Sequence, residues 1–266
     1  MLWQRILSSL VLIPLIVTAI WLDGLLFTVA VILFSLLGVF EFYRLAQKAG
    51  WKPFALIGII FVLLFLIDAY YFEDARTTGL LISGIIIFPL IQALFCREIE
   101  NAFINWLWTV GGVFYVGWTM SHFILLRELE SGLNWVLLVV LTTMATDTFA
   151  FIAGRAFGRH RLIPSISPGK TWEGSVGGII GAVIAIVLIA YFTGLDSFGY
   201  GWLIGLGCLI GIVAQLGDLS ESLLKRNVNA KDASKLIPGH GGVLDRLDSL
   251  IFAVVLTYYY VIWIVI

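Results

Sequence analysis

The chain closes with "IPGHGGVLDRLDSLIFAVVLTYYYVIWIVI" (residues 237–266). Its last two thirds, 247–266, carry Asp248 as the one charged residue and run for 20 residues. About 20 predominantly apolar residues are what an α-helix needs to cross a bilayer. The first third sets a His, several Gly, an Arg and an Asp at the mouth of that helix. Working outward from this stretch, the same apolar signal recurs along the chain. The 266 residues are 61% hydrophobic and 12% charged, with a mean hydropathy of +1.03. Soluble domains carry about 25% charged residues, so the composition reads as an integral membrane protein.

Nine spans are expected, near 6–22, 25–43, 54–72, 79–95, 106–126, 134–153, 173–194, 201–222 and 247–266. The runs are long and continuous, without the alternation of a β-barrel, so the fold class is an all-α polytopic membrane protein. The first span follows Arg5. It lacks a small-residue cleavage site before Asp23-Gly24 and is read as a retained helix rather than a signal peptide.

Charge distribution gives the orientation. With nine spans, one side of the membrane collects 14 of the 16 Lys and Arg, and the other holds Arg76 and Arg127. The positive-inside rule then places the N-terminus and the loops near 155–172 and 223–246 in the cytoplasm. The net charge of −1 argues against nucleic acid as a partner. Cys96 and Cys208 offer no disulfide or zinc spacing.

Two regions are expected. Residues 1–130 keep their polar groups in short loops, as a transmembrane scaffold does. In residues 131–266 charge enters the spans and Gly accumulates, which marks the chemically active region. "GSVGGIIGA" (174–182) is a small-residue face for close helix packing, either within one chain or across a homodimer.

Four polar constellations stand out. In "QLGDLSESLLKR" (215–226), Asp218, Glu221, Ser222 and Lys225 share one helical stripe. A helix end emerging into water accounts for Glu221 and Lys225, but not for Asp218, two turns deeper, where a carboxylate is costly. In the opening stretch Asp245 and Asp248 are one turn apart, an oxygen-rich pair suited to Mg²⁺. Capping of the helix start explains one Asp and leaves the other, with His240 and Arg246, unexplained. Gly239, Gly241 and Gly242 allow backbone N–H groups to converge on an anion.

In "DTFAFIAGRAFGRHR" (147–161), Asp147 lies in an apolar span with Arg155 two turns on. It serves either an ion pair or a metal. In "SPGKTWEG" (167–174), a phosphate-binding P-loop requires Gly at position 164, which is Pro, and no strand is expected before it. Ser167, Lys170 and Thr171 remain as groups able to hold phosphate oxygens, with Glu173 in a first helical turn. Together these carboxylates, cations and glycine turns suit metal-assisted transfer of a phosphorylated group beside lipid.

Residues 222–248, "SLLKRNVNAKDASKLIPGHGGVLDRLD", resemble the signature of the phosphatidate cytidylyltransferase (CDP-diacylglycerol synthase) family. The matching positions are Ser222, Lys225, Arg226, Lys231, Asp232, His240, Gly241, Gly242, Asp245, Arg246 and Asp248. "GDLSES" (217–222), "DTFAFIAGRAFG" (147–158) and "SPGKTWEG" are similar to other motifs of that family, with "FEFYRL" (40–45) a weaker echo. Gly169 departs from the pattern, where Lys is common.

The resemblance implies a membrane enzyme of a prokaryotic inner membrane, facing the cytoplasm, that turns CTP and phosphatidate into CDP-diacylglycerol and pyrophosphate. It implies Mg²⁺, which the residues themselves suggest is held by Asp218, Asp245 and Asp248, with Asp147 nearby and a second cation left open. Lys225 and Arg246 join those acids as catalytic groups. Ser167, Lys170, Thr171, Glu173, Ser222, Arg226, Lys231, Asp232, His240, Gly241, Gly242 and Arg155 form the substrate-binding set. A CTP-dependent polyprenol or dolichol kinase and an ion-coupled transporter are the rival readings. A CDP-alcohol phosphotransferase fits less well, because its Asp-Gly-x-x-Ala-Arg run is missing.

Overall fold

The computed structural model describes residues 18–21, 24–72, 75–96, 99–234, 236 and 241–265. Helices dominate it, in this order: α1 Gly24–Lys48, α2 Ala55–Tyr71, α3 Ala75–Leu94, α4 Ile99–Gly112, α5 Thr119–Glu128, α6 Gly132–Phe157, α7 Trp172–Thr193, α8 Tyr200–Asn227 and α9 Leu244–Tyr260. A π-helical segment, Val113–Trp118, joins α4 to α5, giving one continuous span Ile99–Glu128; a second, Val261–Val265, extends α9. Seven of these spans are long and apolar enough to cross a membrane, and α2 is a shorter apolar helix. The eight expected spans from 25–43 onward each coincide with a helix, and the protein is an all-α polytopic membrane protein. The expected first span, 6–22, lies outside the described residues except at 18–21.

Local chemistry sets the helix ends. α1 stops where Gly50 takes a left-handed turn at φ +89°. There Gly50 N–H donates to the Gln47 carbonyl at 3.0 Å and Trp51 N–H to the Ala46 carbonyl at 3.1 Å. These bonds satisfy carbonyls that a helix end leaves open, and Lys48 complements its negative pole. At the other kind of end, Thr171 caps α7 by accepting from Gly174 N–H at 3.1 Å.

One expectation needs correction. A strand does precede "GKT": Arg161–Ile163 (β1) and Ser167–Thr171 (β2) form a two-stranded antiparallel hairpin. Strands of three and five residues are too short to show a period of two, and this pair sits in a polar loop where turn chemistry dominates the pattern. The P-loop exclusion stands on Pro164 alone.

The described residues fall into two compact units, one within Met1–Leu125 and Asn227–Leu247, the other within Leu126–Arg226 and Asp248–Ile266. In the first unit, polar ties cross between helices. Tyr43 on α1 donates to the Thr109 carbonyl at 2.9 Å, and Thr109 Oγ1 accepts from Phe54 N–H at 2.8 Å. In low dielectric such bonds are costly to leave unmade.

In the second unit α6 and α7 meet along small residues. A methyl carbon at Gly178 would lie 3.1 Å from both the Ala150 Cβ and the Thr146 carbonyl oxygen, and one at Gly174 would lie 2.8 Å from the Ala150 carbonyl oxygen. The glycine-rich face therefore packs within one chain, as small residues allow in membranes. Gln215 of α8 adds a tie, donating to the Ser175 carbonyl at 3.1 Å.

Candidate functional site

Helix α8 is apolar until Gln215 and then carries the acidic stripe. Ser222 Oγ donates to Asp218 Oδ1 at 3.3 Å, and Glu221 pairs with Lys225 one turn on. The stripe is thus one helical face, as its spacing implies. Glu221 is fully buried, and Lys225 is 12% exposed. Leaving a buried acid of this kind without its cation is strongly destabilising.

The hairpin supplies a second cation. Lys170 Nζ on β2 lies 2.7 Å from Asp218 Oδ2, with both side chains less than a third exposed. Arg226, at the end of α8, donates from Nε to the Ile166 carbonyl at 3.2 Å, so the hairpin is tied to the same helix twice. Glu173 of α7 accepts from the backbone N–H of Arg159 and His160 and holds His160 Nδ1 at 2.7 Å. This fixes the other end of the hairpin.

Asp248, in the second turn of α9, completes the group. Its carboxylate accepts from Ser249 N–H at 2.6 Å. It feels the repulsion of Asp218 and Asp147 and the attraction of Lys225. Asp218 thus sits on the Lys170 ammonium and Glu221 on that of Lys225, and Asp147 and Asp218 lie within electrostatic reach of Asp248. Among the described residues, no three His, Cys, Asp or Glu side chains stand in a ready-made metal cluster. The all-oxygen donors nevertheless suit a hard divalent cation. Mg²⁺ keeps several waters and takes only one or two carboxylates, with substrate phosphates filling the rest.

Asp245 belongs to the first unit, in the first turn of α9. Its Oδ2 accepts from Gly242 N–H at 2.7 Å and from Ala233 N–H at 3.0 Å. Gly241 makes the turn at φ +84°, and a methyl carbon there would lie 2.7 Å from the Asp245 carboxylate. That explains a Gly at 241 without a ligand. The Gly242 N–H is engaged by Asp245, and a side chain at Gly242 would run into the Glu41 carboxylate.

The remaining expected residues are less gathered. Lys231, Asp232, Arg246 and Arg155 are exposed and Ser167 is half-buried. The Thr171 hydroxyl oxygen is engaged as the α7 cap. His240 lies outside the described residues.

The cytidylyltransferase family model matches residues 3–264, which takes in every charged group above. The chain belongs to the cytidylyltransferase family. Among curated relatives, the phosphatidate cytidylyltransferase of Brucella abortus is 34% identical over 264 residues, covering 96% of this chain and 91% of the relative. Its namesake in Synechocystis is 33% identical over 293 residues, covering 97% and 96%. That of Bacillus subtilis is 31% identical over 264 residues, covering 96% of each. As a cytidylyltransferase, the protein is a nucleotidyl-transferring enzyme of the membrane.

Three residues with polar contacts of their own, one in the first unit and two in the second, escape a reading of the cytidylyltransferase sequence by spacing. Glu41, buried on α1, accepts from Ser234 Oγ and from Leu244 N–H. Its signal is a carboxylate inside an apolar span, partly masked by its closeness to Arg44 and Lys48 at the helix end. Gln215 gives the same kind of signal on α8. His160 gives none, because an exposed loop His is ordinary.

Proposed function

We propose that this cytidylyltransferase transfers CMP from CTP to phosphatidate, forming CDP-diacylglycerol and pyrophosphate, in a prokaryotic inner membrane with the reacting groups facing the cytoplasm. The observation that carries the reading is the charge cluster on apolar helices, Lys170 on Asp218 with Asp248 and Asp147 in electrostatic reach. The names of the relatives supply the lipid substrate. The cytoplasmic N-terminus and nine spans rest on the 14 of 16 basic residues that such a topology gathers on one side.

The reaction needs little covalent help. A phosphatidate phosphate oxygen attacks the α-phosphorus of CTP in line. The new O–P bond forms as the bond to the bridging oxygen breaks, and that electron pair leaves with pyrophosphate. Phosphatidate is already ionised near neutral pH, so no strong general base is required. The barrier lies in bringing two anions together, a repulsion of about 4 kcal/mol per charge pair at 4 Å in an effective dielectric near 20.

Mg²⁺, held by Asp218, Asp245 and Asp248 with Asp147 nearby, would neutralise charge on the triphosphate when bound. The protein's cations do the rest. Lys225 and Arg246 face the developing charge, while Lys170, Arg226, Lys231 and Arg155 hold pyrophosphate or the phosphatidate headgroup. Lys170 suits a moving phosphate, because its ammonium sits on a carboxylate rather than on backbone. Ser167, Thr171, Glu173, Ser222, Asp232, His240 and the Gly241-Gly242 turn position the substrates or the hairpin and loop that bind them. The acyl chains stay in the bilayer.

The test uses purified protein in mixed micelles with phosphatidate, Mg²⁺ and CTP labelled either in cytidine or at the γ-phosphate. Cytidine label in the lipid product supports the proposal. γ-Label in the lipid would assign a lipid kinase, and no label in lipid would remove a transfer function. Pyrophosphate exchange into CTP without phosphatidate would replace direct attack with a nucleotidyl-enzyme.

A further inference from the structure

We propose that Glu41 is a positioning residue: from α1 its buried carboxylate clamps Ser234, the Gly242 turn and the first turn of α9 into the conformation that presents Asp245. The inference rests on the proposed function for what Asp245 does, and on geometry for what Glu41 does.

Glu41 is 2% exposed, in the apolar span Gly24–Lys48. A carboxylate placed there must be matched by donors. Two donors arrive from about two hundred residues downstream in sequence. Leu244 N–H donates to Oε2 at 2.8 Å, and the Ser234 hydroxyl donates to Oε1 in a short bond of 2.5 Å. Leu244 begins α9, and the first N–H groups of a helix have no partner within the helix. Glu41 supplies one from a different helix, and its negative charge meets the positive pole of α9.

The same helix reaches the loop a second time. Lys48 Nζ donates to the Ala233 carbonyl at 3.3 Å, while the N–H of Ala233 donates to Asp245 Oδ2. Ala233 is thus held on one side by α1 and on the other by the acid being positioned. The tight fit at Gly242, where any side chain would meet the Glu41 carboxylate, shows that the turn is built around this group. A residue that only filled space in the scaffold would have no need of two oxygens facing two donors on one loop.

The test compares Glu41→Ala, Glu41→Gln and Ser234→Ala in the full-length protein. It reads kcat, KM for CTP, KM for phosphatidate, and amide hydrogen exchange across 228–247. A Gln at 41 still offers one carbonyl oxygen to Leu244 N–H and an amide donor to the Ser234 oxygen, so it keeps the clamp. The expected result for Glu41→Ala is KM for CTP raised about tenfold or more, the worth of a hydrogen bond to a charged group. Exchange at 241–244 accelerates, and KM for phosphatidate stays within about twofold. Glu41→Gln restores both readouts to within about threefold of the native protein, and Ser234→Ala raises KM for CTP by about threefold.

Native CTP affinity and native exchange in Glu41→Ala would overturn the clamp. So would a Gln variant as defective as the Ala variant, or an equal loss in both substrates. Should Glu41→Ala fail to fold, Ser234→Ala still decides, and an unchanged KM and exchange there counts against the clamp. If the native protein makes no CDP-diacylglycerol, the functional reading fails, while the exchange measurements still judge Glu41.

Discussion

Substituting Gly217 by Ala tests how tightly the acids must be held. Gly217 precedes Asp218 on α8, and α9 crosses it at Asp248. A methyl carbon on Gly217 would fall on the Asp248 carbonyl oxygen and lie 3.3 Å from both the Asp248 carbonyl carbon and Ser249 Cα. Carbon and oxygen settle at about 3.3–3.6 Å, so α9 must retreat by about 1 Å at the residue that bears one of the acids. Over-packing of this kind costs about 1–3 kcal/mol of stability. A 1 Å misplacement of reacting groups costs about 100-fold in rate, equivalent to about 2.7 kcal/mol of barrier.

Initial rates of cytidine-label transfer at saturating Mg²⁺ measure the effect, alongside a circular-dichroism melt. Gly201→Ala on the same helix is the control. Nothing lies within 4 Å of a methyl carbon there, and removing a helical Gly stabilises by about 1 kcal/mol. The expected outcome is about a 100-fold loss of kcat/KM at Gly217 and none at Gly201. Native turnover in Gly217→Ala, or an equal loss in the control, would refute the reasoning.

Other perturbations probe separate links. Asp218→Asn should lower turnover by about 100- to 1000-fold and raise the Mg²⁺ needed for half-activity, with undiminished yield of inserted protein. Near-native turnover at low Mg²⁺ would remove Asp218 from the metal. Glu221→Ala strands Lys225 in a buried setting and should destabilise by about 3–5 kcal/mol, whereas the double change Glu221→Met with Lys225→Met should be near neutral in a melt. Equal destabilisation by both would deny the pair its mutual dependence. Tyr260→Phe removes a 2.9 Å bond to the Trp202 carbonyl and should cost about 1 kcal/mol with unchanged kcat; an unshifted melt would mean that the bond contributes nothing.

Much of the architecture is legible in the sequence because lipid imposes one dominant requirement, an apolar run of fixed length. The eight spans that fall on described residues come out as helices for that reason. The stripe from Asp218 to Lys225 is legible because it lies within one helix, where spacing determines facing. Contacts between distant segments are not encoded this way. Nothing about Lys170 in sequence names Asp218 as its partner, and nothing about Glu41 names Ser234 and Leu244.

Ambiguity of a second kind arises where one residue type serves two ends. Thr171 and Gly242 suit phosphate binding by chemistry, but Thr171 caps α7 and Gly242 donates to Asp245. Hydroxyls and glycine amides answer an anion and a helix end alike. The β-hairpin is hidden for a simpler reason, since its strands are shorter than any period a sequence can display.

The meeting of α6 and α7 has a mechanical consequence. Gly174, Gly177, Gly178 and Gly181 bring α7 against Ala150, Ala153 and Phe149, while Val176, Ile180, Ile184 and Leu188 face outward. Turning α7 by a single residue, about 100°, would drive branched side chains into a gap sized for hydrogen atoms. The pair behaves as a keel that neither rolls nor yields. Lys170, two residues ahead of α7, inherits that fixed bearing, so the ammonium that meets Asp218 is carried on the stiffest seam of its unit.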